Sequence, residues 1–318
     1  MLTICIPTYN YAHYLPYAIR SCLSQDKDFE LIVADDNSTD RTESLKEQFV
    51  EDPRVRWCSN SGARLPIQQN WNRAVSLANR PYIKILPADD MLKPGSISAF
   101  YAMIKEYPDI CLHGHLAEVI DAEGKVVRKH VPFDPTREVL FVSGSQALKG
   151  KLRQQIRFRE PVCNFFKKSA WEAVGGYQES YRFVFDVYLN ITLSHRYPSA
   201  LWNKHLAQVR RHASSDGAVL PAELALGNLQ LLINEIQRLL GDDLTFLDRE
   251  SGRGWLAYRM LELAGQRFNR TPMQSATLLL KHLGWIMDPA AAYYAFRLVR
   301  NKLLRGDVQQ RIVANVSN

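Results

Sequence analysis

The chain has 318 residues, of which 46% are hydrophobic, and its formal net charge is +7. It is long enough for one large core, or for a main domain with a helical extension. No uninterrupted apolar run is long enough to cross a bilayer, and Met1 leads within one residue into a strand-like segment that leaves no room for a signal peptide. We therefore expect a globular protein of the cytoplasm.

The positive charge is concentrated near the C-terminal end. Residues 251–318 contain ten Lys/Arg and three Asp/Glu, whereas residues 1–250 contain 30 of each. The neutral larger part argues against a catalytic core that binds nucleic acid. The basic segment predicts contact with something anionic, and a membrane surface is the leading candidate.

Strands and helices alternate over the first part of the chain. Short apolar segments predict strands at 2–7, 29–34, 55–58 and 82–86. Helical periodicity and capping residues predict helices at 14–23, 40–50 and 66–78. This alternation is typical of a mostly parallel sheet with right-handed crossovers, so we predict an α/β fold in which helices flank the sheet.

The second part of the chain has a less regular pattern. Further strands are predicted at 110–121, 125–131, 162–167 and 201–209. Residues 132–155 indicate loops with a short helix, and 183–197 become helical in their later part. After Pro221 the pattern changes to long amphipathic helices, of which 224–240 is the clearest.

The last predicted helix begins after Asp288, its N-cap, and ends before Gly306. Phe296 and Val299 belong to its apolar face, and basic residues lie beside or opposite them. A basic amphipathic helix can lie in a membrane interface. The alternative is that the apolar face packs on the domain while the basic face is solvated.

Acidic pairs follow two of the predicted parallel strands. Asp35 and Asp36 come after the second strand, and Asp89 and Asp90 come after the strand at 82–86. The binding crevice of an open α/β sheet lies at the carboxyl ends of its strands, so we expect these acids to face substrate. The alternative is a turn that uses Asp for local hydrogen bonds.

Several enzyme classes lack their motifs here. No dinucleotide-binding glycine fingerprint follows the first strand, and the glycines near residues 144–151 are too far apart for a P-loop. The serine hydrolase elbow and the zinc-protease helix motif are also missing. These absences argue against hydride transfer, ATP hydrolysis and serine hydrolase chemistry.

The strand ends carry the residue types that hold a nucleoside diphosphate. The ring of Tyr9 can stack on a base, and Asp36 can accept from the imino N3–H of uracil or thymine. Asp89 can bind a hard divalent ion that neutralises the pyrophosphate.

With these features the chain resembles the family 2 glycosyltransferases of the GT-A fold. The segments that match in order and spacing are Ile-Pro-Thr-Tyr-Asn at 6–10, Val-Ala-Asp-Asp-Asn-Ser-Thr-Asp at 33–40, Gln-Asn-Trp-Asn-Arg-Ala at 69–74, Leu-Pro-Ala-Asp-Asp at 86–90, Gly-Gly-Tyr at 175–177, Phe-Asp at 185–186 and Val-Arg-Arg-His at 209–212. They cover about residues 1–215. The resemblance implies a Rossmann-like GT-A sheet with a nucleotide-sugar-binding half at 1–110, an acceptor-binding half at 111–220 and a basic helical extension at 221–318.

The resemblance also implies a set of donor-site residues. Nucleotide contacts are expected at Pro7, Thr8, Tyr9, Asp36, Arg64 and Asn70. A divalent cofactor, Mn²⁺ or Mg²⁺, is expected on Asp89, the second acid of the family's Asp-x-Asp motif. Pro87 replaces the first acid, so the donor-sugar contact is expected at Asp90 or at a backbone group, the alternative being that Asp90 caps the turn.

Two residues of the basic segment at 209–212 are further candidates. By resemblance, Arg210 would contact the diphosphate and His212 the metal or the diphosphate. The alternative for His212 is an ordinary loop residue. Trp171 and Trp202 either line an acceptor site or pack in the core, and core packing is favoured.

The catalytic base is expected at Asp186, where the family carries Glu-Asp after its Gly-Gly-Tyr turn. Here the pair is Phe185 and Asp186, so only the second acid is present. As general base, Asp186 would take the proton of an acceptor hydroxyl while that oxygen attacks the anomeric carbon. The alternative is a helix N-cap.

We therefore predict an inverting, metal-dependent glycosyltransferase that moves a sugar from a nucleotide diphosphate donor, preferably a UDP-sugar, to a glycan or lipid-linked glycan in surface polysaccharide synthesis. Residues 285–311 would contact an anionic membrane at the inner face of the cell. One alternative is a nucleotidyltransferase, although residues 7–14 lack the Gly-rich basic loop of that class. Another is a nucleotide-sugar-binding protein without activity, since Pro87 and Phe185 replace acids.

Overall fold

The structure is a computed structural model that describes residues 1–156, 158–213 and 221–268, together with 288, 289, 292, 293, 296 and 299. The strands are β1 (Leu2–Thr8), β2 (Glu30–Asp35), β3 (Val55–Ser59), β4 (Tyr82–Ile85), β5 (Met91–Leu92), β6 (Leu112–Ile120), β7 (Val126–Lys129), β8 (Val139–Val142), β9 (Asn164–Lys167) and β10 (Ser199–Arg210). The α-helices are α1 (Leu15–Leu23), α2 (Ile67–Ser76), α3 (Ser96–Glu106), α4 (Gly144–Leu152), α5 (Lys168–Ala173), α6 (Phe185–Arg196), α7 (Ala222–Leu240) and α8 (Phe246–Phe268). Short 3-10 helices span Glu43–Gln48, Pro161–Cys163, Glu179–Tyr181 and Gly241–Asp243.

All the strands of the described residues belong to one sheet, in the order β3-β2-β1-β4-β9-β6-β10-β5, with β7 on β6 and β8 on β10. β1 pairs in parallel with β2 and β4, β2 with β3, and β6 with β10. β9 lies antiparallel between β4 and β6. The predicted α/β fold with a mostly parallel sheet flanked by helices is therefore confirmed.

β1 forms the centre of the core because it has a strand on each side and helices over its faces. Each of its residues from Leu2 to Thr8 is buried. On α1 the buried residues Leu15, Ala18, Ile19 and Cys22 recur every three or four positions and join the same cluster. Burial of each large apolar side chain contributes roughly 1.5–3 kcal/mol, so this packing fixes where the end of β1 lies.

Several predicted elements need correction. The strands β5 and β8 and the helix α3 were not predicted; β5 has only two residues and β8 four, too few to show a period. The helix predicted at 40–50 is the 3-10 helix Glu43–Gln48. Its start is not a capping box, because the Asp40 carboxylate accepts from the amides of Ala12 and Thr42 instead of capping a helix.

The chain folds as two compact units, Met1–Ala147 with Phe158–Ala218, and Leu148–Arg157 with Val219–Asn318. In the second unit α7 and α8 pack through Leu226 and Met260, and the buried carboxylate of Asp248 pairs with Arg153 at 2.7 Å. None of the described helices has the length and apolar character needed to cross a bilayer. The predicted division at residues 110 and 220 into functional halves stays a prediction.

Most of the predicted last helix lies outside the described residues. Pro289, Ala292, Phe296 and Val299 are helical, and the Ala292 amide donates to the Asp288 carbonyl. Phe296 is 64% exposed and Val299 is 37% exposed, so these two side chains of the predicted apolar face are not packed in the core.

One lysine is fully buried in the sheet. Lys84 of β4 donates from Nζ to Nε2 of His115 at 2.7 Å and to the carbonyl oxygens of Val162 and Asn164. The His115 Nδ1–H donates to the Leu116 carbonyl, which leaves Nε2 as the acceptor. Burial lowers the pKa of Lys84 to about 7.

The variant Lys84→Met is expected to have a flatter dependence of stability on pH. Because the lysine titrates near 7 when folded and near 10.4 when unfolded, the unfolded wild type binds the extra proton between these values. The wild type should therefore gain up to about 1.4 kcal/mol of unfolding free energy per pH unit relative to the variant as pH rises from 7 to 9. Urea unfolding at pH 7, 8 and 9 measures this, with the exposed Lys105→Met as control. Parallel curves for wild type and Lys84→Met would contradict it.

Candidate active site

The loops that follow β1 and β2 are joined through Asn10. This residue has a φ of 58°, in the left-handed region that Asn tolerates better than most residues. Its side-chain Oδ1 accepts from the Thr39 backbone amide at 2.7 Å, and its backbone amide donates to Ser38 Oγ at 2.8 Å. The loop holding Tyr9 is thereby fixed against the loop that follows Asp36.

Asp36 is buried, and donors from two loops orient its carboxylate. Its backbone amide donates to the Thr8 carbonyl at 3.0 Å. Oδ1 accepts from Asn60 Nδ2 at 2.8 Å, and Oδ2 accepts from the Leu65 amide at 3.0 Å. A carboxylate offers about four lone-pair directions, so these contacts orient Asp36 and leave capacity for a ligand.

The other predicted nucleotide contacts meet at the same place. The Arg64 guanidinium lies 3.9 Å from the centroid of the Tyr9 ring. Arg64 directly precedes Leu65, whose backbone amide donates to Asp36. Pro7 and Thr8 end β1, and the buried Thr8 Oγ1 has no hydrogen-bond partner among the described residues. The structure therefore brings Pro7, Thr8, Tyr9, Asp36 and Arg64 together.

Asn70 faces the protein interior. Its side chain donates to the Ala34 carbonyl at 3.2 Å and accepts from Arg73 at 3.0 Å. Arg73, which sequence reasoning missed as a site residue, also donates to the carbonyls of Asp35 and Cys58. The two side chains brace the ends of β2 and β3, and direct nucleotide contact by Asn70 stays a prediction.

Asp89 and His212 form a pair at the ends of β4 and β10. Asp89 Oδ2 lies 3.0 Å from His212 Nε2, and the imidazole lies 4.8 Å from the Tyr14 ring. Carboxylate and imidazole are ligands that suit Mn²⁺, and two protein ligands are typical of a metal that substrate phosphates also bind. The donor set therefore fits the expected metal.

A second group of potential ligands, His130, Glu160 and Cys163, does not fit a metal. Nδ1 of His130 accepts from the Ala117 amide at 3.1 Å, so in the neutral ring Nε2 carries the proton. That Nε2 faces Glu160 Oε2 at 3.4 Å. The group is a close imidazole–carboxylate pair beside a buried thiol, Cys163, whose pKa burial raises well above its usual value.

Asp90 and Arg210 bind each other and the backbone near Asp89. Asp90 is buried and its Oδ1 accepts from the Arg210 amide at 2.8 Å; burial, with the nearby charge of Asp89, raises the pKa of Asp90 well above its usual value. The buried Arg210 side chain donates to the carbonyls of Asp89, Asp121 and Ala122. Both side chains thus bind the protein itself and hold the turn that carries Asp89, in agreement with the turn role given as the alternative for Asp90. The sugar contact at Asp90 and the diphosphate contact at Arg210 stay predictions.

Asp186 lies in the first turn of α6 and is half-buried. The N-cap residue is Val184, so Asp186 is not a helix cap. Phe185, in the position of the family's first acid, is buried with its ring 5.0 Å from Trp71. The role of Asp186 as general base stays a prediction.

The two tryptophans are core residues, as favoured from the sequence. Trp171 is 9% exposed and Trp202 is 3% exposed. Trp202 Nε1 donates to His113 Nδ1 at 3.3 Å. Neither presents a face to an acceptor sugar.

Comparison with known proteins supports sugar transfer. Residues 3–175 match the model of the family described as glycosyl transferase family 2. The chain is 33% identical over 107 residues to the GalNAc(5)-diNAcBac-PP-undecaprenol beta-1,3-glucosyltransferase of Campylobacter jejuni, which is 33% of this chain and 35% of that protein. It is 32% identical over 117 residues to the abequosyltransferase RfbV of Salmonella typhimurium, 35% of each chain. The matched regions thus span about a third of the length of these two relatives.

A solved structure shows the same fold. The TarS fragment 1–349 of S. aureus in complex with UDP-GlcNAc has a TM-score of 0.63 and 15% identity, covering 90% of this chain and 80% of that one. The shared fold is GT-A, as the sequence predicted. The family match over residues 3–175 favours sugar transfer over the nucleotidyltransferase alternative.

The variant Arg210→Met is expected to lower the free energy of unfolding by about 2 kcal/mol, because it removes a buried guanidinium that donates to the carbonyls of Asp89, Asp121 and Ala122. Urea unfolding measures this. Arg128→Met, on the exposed strand β7, is the control, and a change within about 0.5 kcal/mol is expected. Unchanged stability of Arg210→Met would contradict this structural role, and weakened UDP binding would support the predicted diphosphate contact.

Proposed function

The chain belongs to glycosyltransferase family 2, and from this we propose that it is an inverting, metal-dependent enzyme that transfers a sugar from a nucleotide diphosphate donor to a glycan. Family membership makes it a glycosyl-transferring enzyme. The observation that carries the finer proposal is the meeting of Asp36, Tyr9 and Arg64 at the ends of β1 and β2, with Asp89 at the end of the neighbouring β4.

The environment of Asp36 favours uracil or thymine over guanine. Guanine presents two adjacent N–H donors and would need both carboxylate oxygens, whereas uracil and thymine present one imino N–H. Asn60 already donates to Oδ1 and Leu65 to Oδ2, so one further donor is easier to accept than two. A UDP-sugar is therefore the preferred donor, in keeping with the UDP-GlcNAc that the TarS structure contains.

Asp89 and His212 are the residues that would hold Mn²⁺ or Mg²⁺. Once bound, the ion supplies positive charge that stabilises the departing diphosphate. This chain's own contribution is the fixed turn, since the Arg210 side chain donates to the Asp89 carbonyl and the Arg210 amide donates to Asp90 Oδ1.

Asp186 is the proposed general base. The acceptor oxygen forms a bond to the anomeric carbon on the face opposite the diphosphate, and the bond from that carbon to the phosphate oxygen breaks with its electron pair going to the diphosphate. The hydroxyl proton passes to the Asp186 carboxylate. A single displacement of this kind inverts the anomeric centre.

The acceptor is proposed to be a glycan or lipid-linked glycan of the cell surface, assembled at the inner face of the membrane. This draws on the Campylobacter jejuni relative, whose name contains a polyprenyl-linked glycan, and on the basic charge of residues 251–318. Contact of residues 285–311 with anionic lipid belongs to the same proposal, and the exposed Phe296 and Val299 support it.

Titration calorimetry tests the donor site. UDP and dTDP are expected to bind in the presence of Mn²⁺, with GDP at least about tenfold weaker, the equivalent of about 1.4 kcal/mol. Asp89→Ala should lose the metal-dependent part of UDP binding. Asp109→Ala, an exposed acid just before β6, is the control and should bind as wild type does. Absence of binding by every nucleotide would contradict the donor site, and GDP as the tightest ligand would contradict the base preference.

Asp186→Asn tests the base. Release of UDP from UDP-glucose, UDP-galactose and UDP-GlcNAc should fall by about 10²- to 10⁴-fold, because a positioned general base contributes that much. UDP affinity should not change, since the nucleotide site is built by other residues. Glu172→Gln, an exposed acid on α5, serves as control. Near-normal turnover of Asp186→Asn would rule out the role.

A further inference from the structure

We propose that Asn72 and Gln68, on α2, are positioning residues for Asp186: they fix the backbone that leads into α6 and so set where the carboxylate meets the acceptor. This inference rests on the proposed role of Asp186 as base. Neither residue is expected to touch substrate.

Both side chains bind the backbone of the segment before α6. Asn72 Nδ2 donates to the Tyr177 carbonyl at 2.8 Å, and the Tyr177 amide donates to Asn72 Oδ1 at 2.9 Å. The buried Gln68 donates from Nε2 to the Arg182 carbonyl at 2.7 Å. One amide side chain therefore satisfies both backbone groups of Tyr177, and a second holds the chain three residues before Phe185.

The glycines of the turn permit this close approach. Gly175 and Gly176 have φ values of 81° and 67°, which residues with a Cβ rarely adopt. A Cβ on Gly176 would lie 2.8 Å from Asn72 Oδ1 and 2.8 Å from the Trp171 ring. The turn can thus contact α2 only with glycine at this position.

Aromatic packing adds to the same attachment. Trp71 of α2 lies 5.4 Å from the Tyr177 ring and 5.0 Å from the Phe185 ring, both edge to face. Such aromatic pairs contribute about 0.5–1.5 kcal/mol beyond the area they bury. Phe185 immediately precedes Asp186, so packing holds the first turn of α6. Hydrogen bonds hold the segment that comes before this helix.

α2 also holds the nucleotide side of the site. Asn70 and Arg73 donate to backbone carbonyls of Ala34, Asp35 and Cys58, at the ends of β2 and β3 beside Asp36. Gln68 and Asn72 are four residues apart and share one face of the helix. The helix therefore connects the nucleotide-binding carboxylate to the base, and a displacement of about 1 Å in such a connection can lower a rate by about 10²-fold.

The test uses Asn72→Asp, which replaces the donor to Tyr177 by an oxygen, and Gln68→Met, which removes the donor to Arg182 at nearly constant volume. Each is expected to lower kcat for UDP release from a UDP-sugar by roughly 10- to 100-fold. The Kd of UDP should stay within about twofold, because the contacts of Asp36 remain intact. Gln69→Ala is the matched control, since its bond to Glu179 is exposed on the same helix. It should keep kcat within about twofold.

A double-mutant cycle with Asp186→Asn separates positioning of the base from other effects. In the Asp186→Asn background the α2 variants should change kcat by no more than about twofold, because the group that they position is gone. Full kcat in both single variants, an undiminished loss in the Asp186→Asn background, or a parallel loss of UDP affinity would each overturn the inference. If Asp186→Asn alone kept wild-type kcat, the proposed base itself would fail, and that result is read independently of the α2 variants. Should Asn72→Asp not fold, Gln68→Met carries the test.

Discussion

The parallel pairing of β1 with both β2 and β4 is the constraint on which the rest of the site depends. Three strands that run in one direction end at one edge, so the residues after each of them meet there although they are far apart in the chain. The hydrogen bond from the Asp36 amide to the Thr8 carbonyl extends this pairing past the strand ends. Because β1 is buried along its whole length, the position of these ends is set by the core and not by the loops.

Side-chain amides and guanidinium groups then connect the loops to that frame. Asn10 joins two loops, Asn72 binds the backbone of Tyr177 in the turn before α6, and Arg210 donates to the Asp89 carbonyl. In each case a side chain satisfies backbone groups that no helix or strand partner supplies, and a buried group left unpaired would destabilise the fold by about 1–3 kcal/mol. The loops around the active site are therefore held in place by polar side chains, which bind backbone groups that regular secondary structure leaves unpaired.

Much of this arrangement was predictable from local patterns. The strands up to residue 86, the helices near 14–23 and 66–78 and the meeting of Tyr9 with Asp36 followed from periodicity and from the order of parallel strands, whereas the helix predicted at 40–50 did not form as predicted. The direction in which a side chain points could not be predicted in this way. The Arg210 amide donates to Asp90 Oδ1 across 120 residues, and only the pairing of β10 in the sheet brings these two residues together. Asn72 belongs to a recognised motif, but its partner Tyr177 lies 105 residues later, so sequence alone did not show what it holds. The Leu65 amide on Asp36 is a backbone contact and leaves no signal in residue types.

The stereochemistry of the reaction distinguishes a single displacement at the anomeric carbon from a double one. The sugar first released from an α-linked UDP-sugar, observed by proton NMR before mutarotation, reports whether one displacement or two occurred. We expect the β-anomer, because water or an acceptor activated by Asp186 attacks opposite the diphosphate. Release of the α-anomer would mean that the displacement is not a single inverting step, and it would contradict the role given to Asp186.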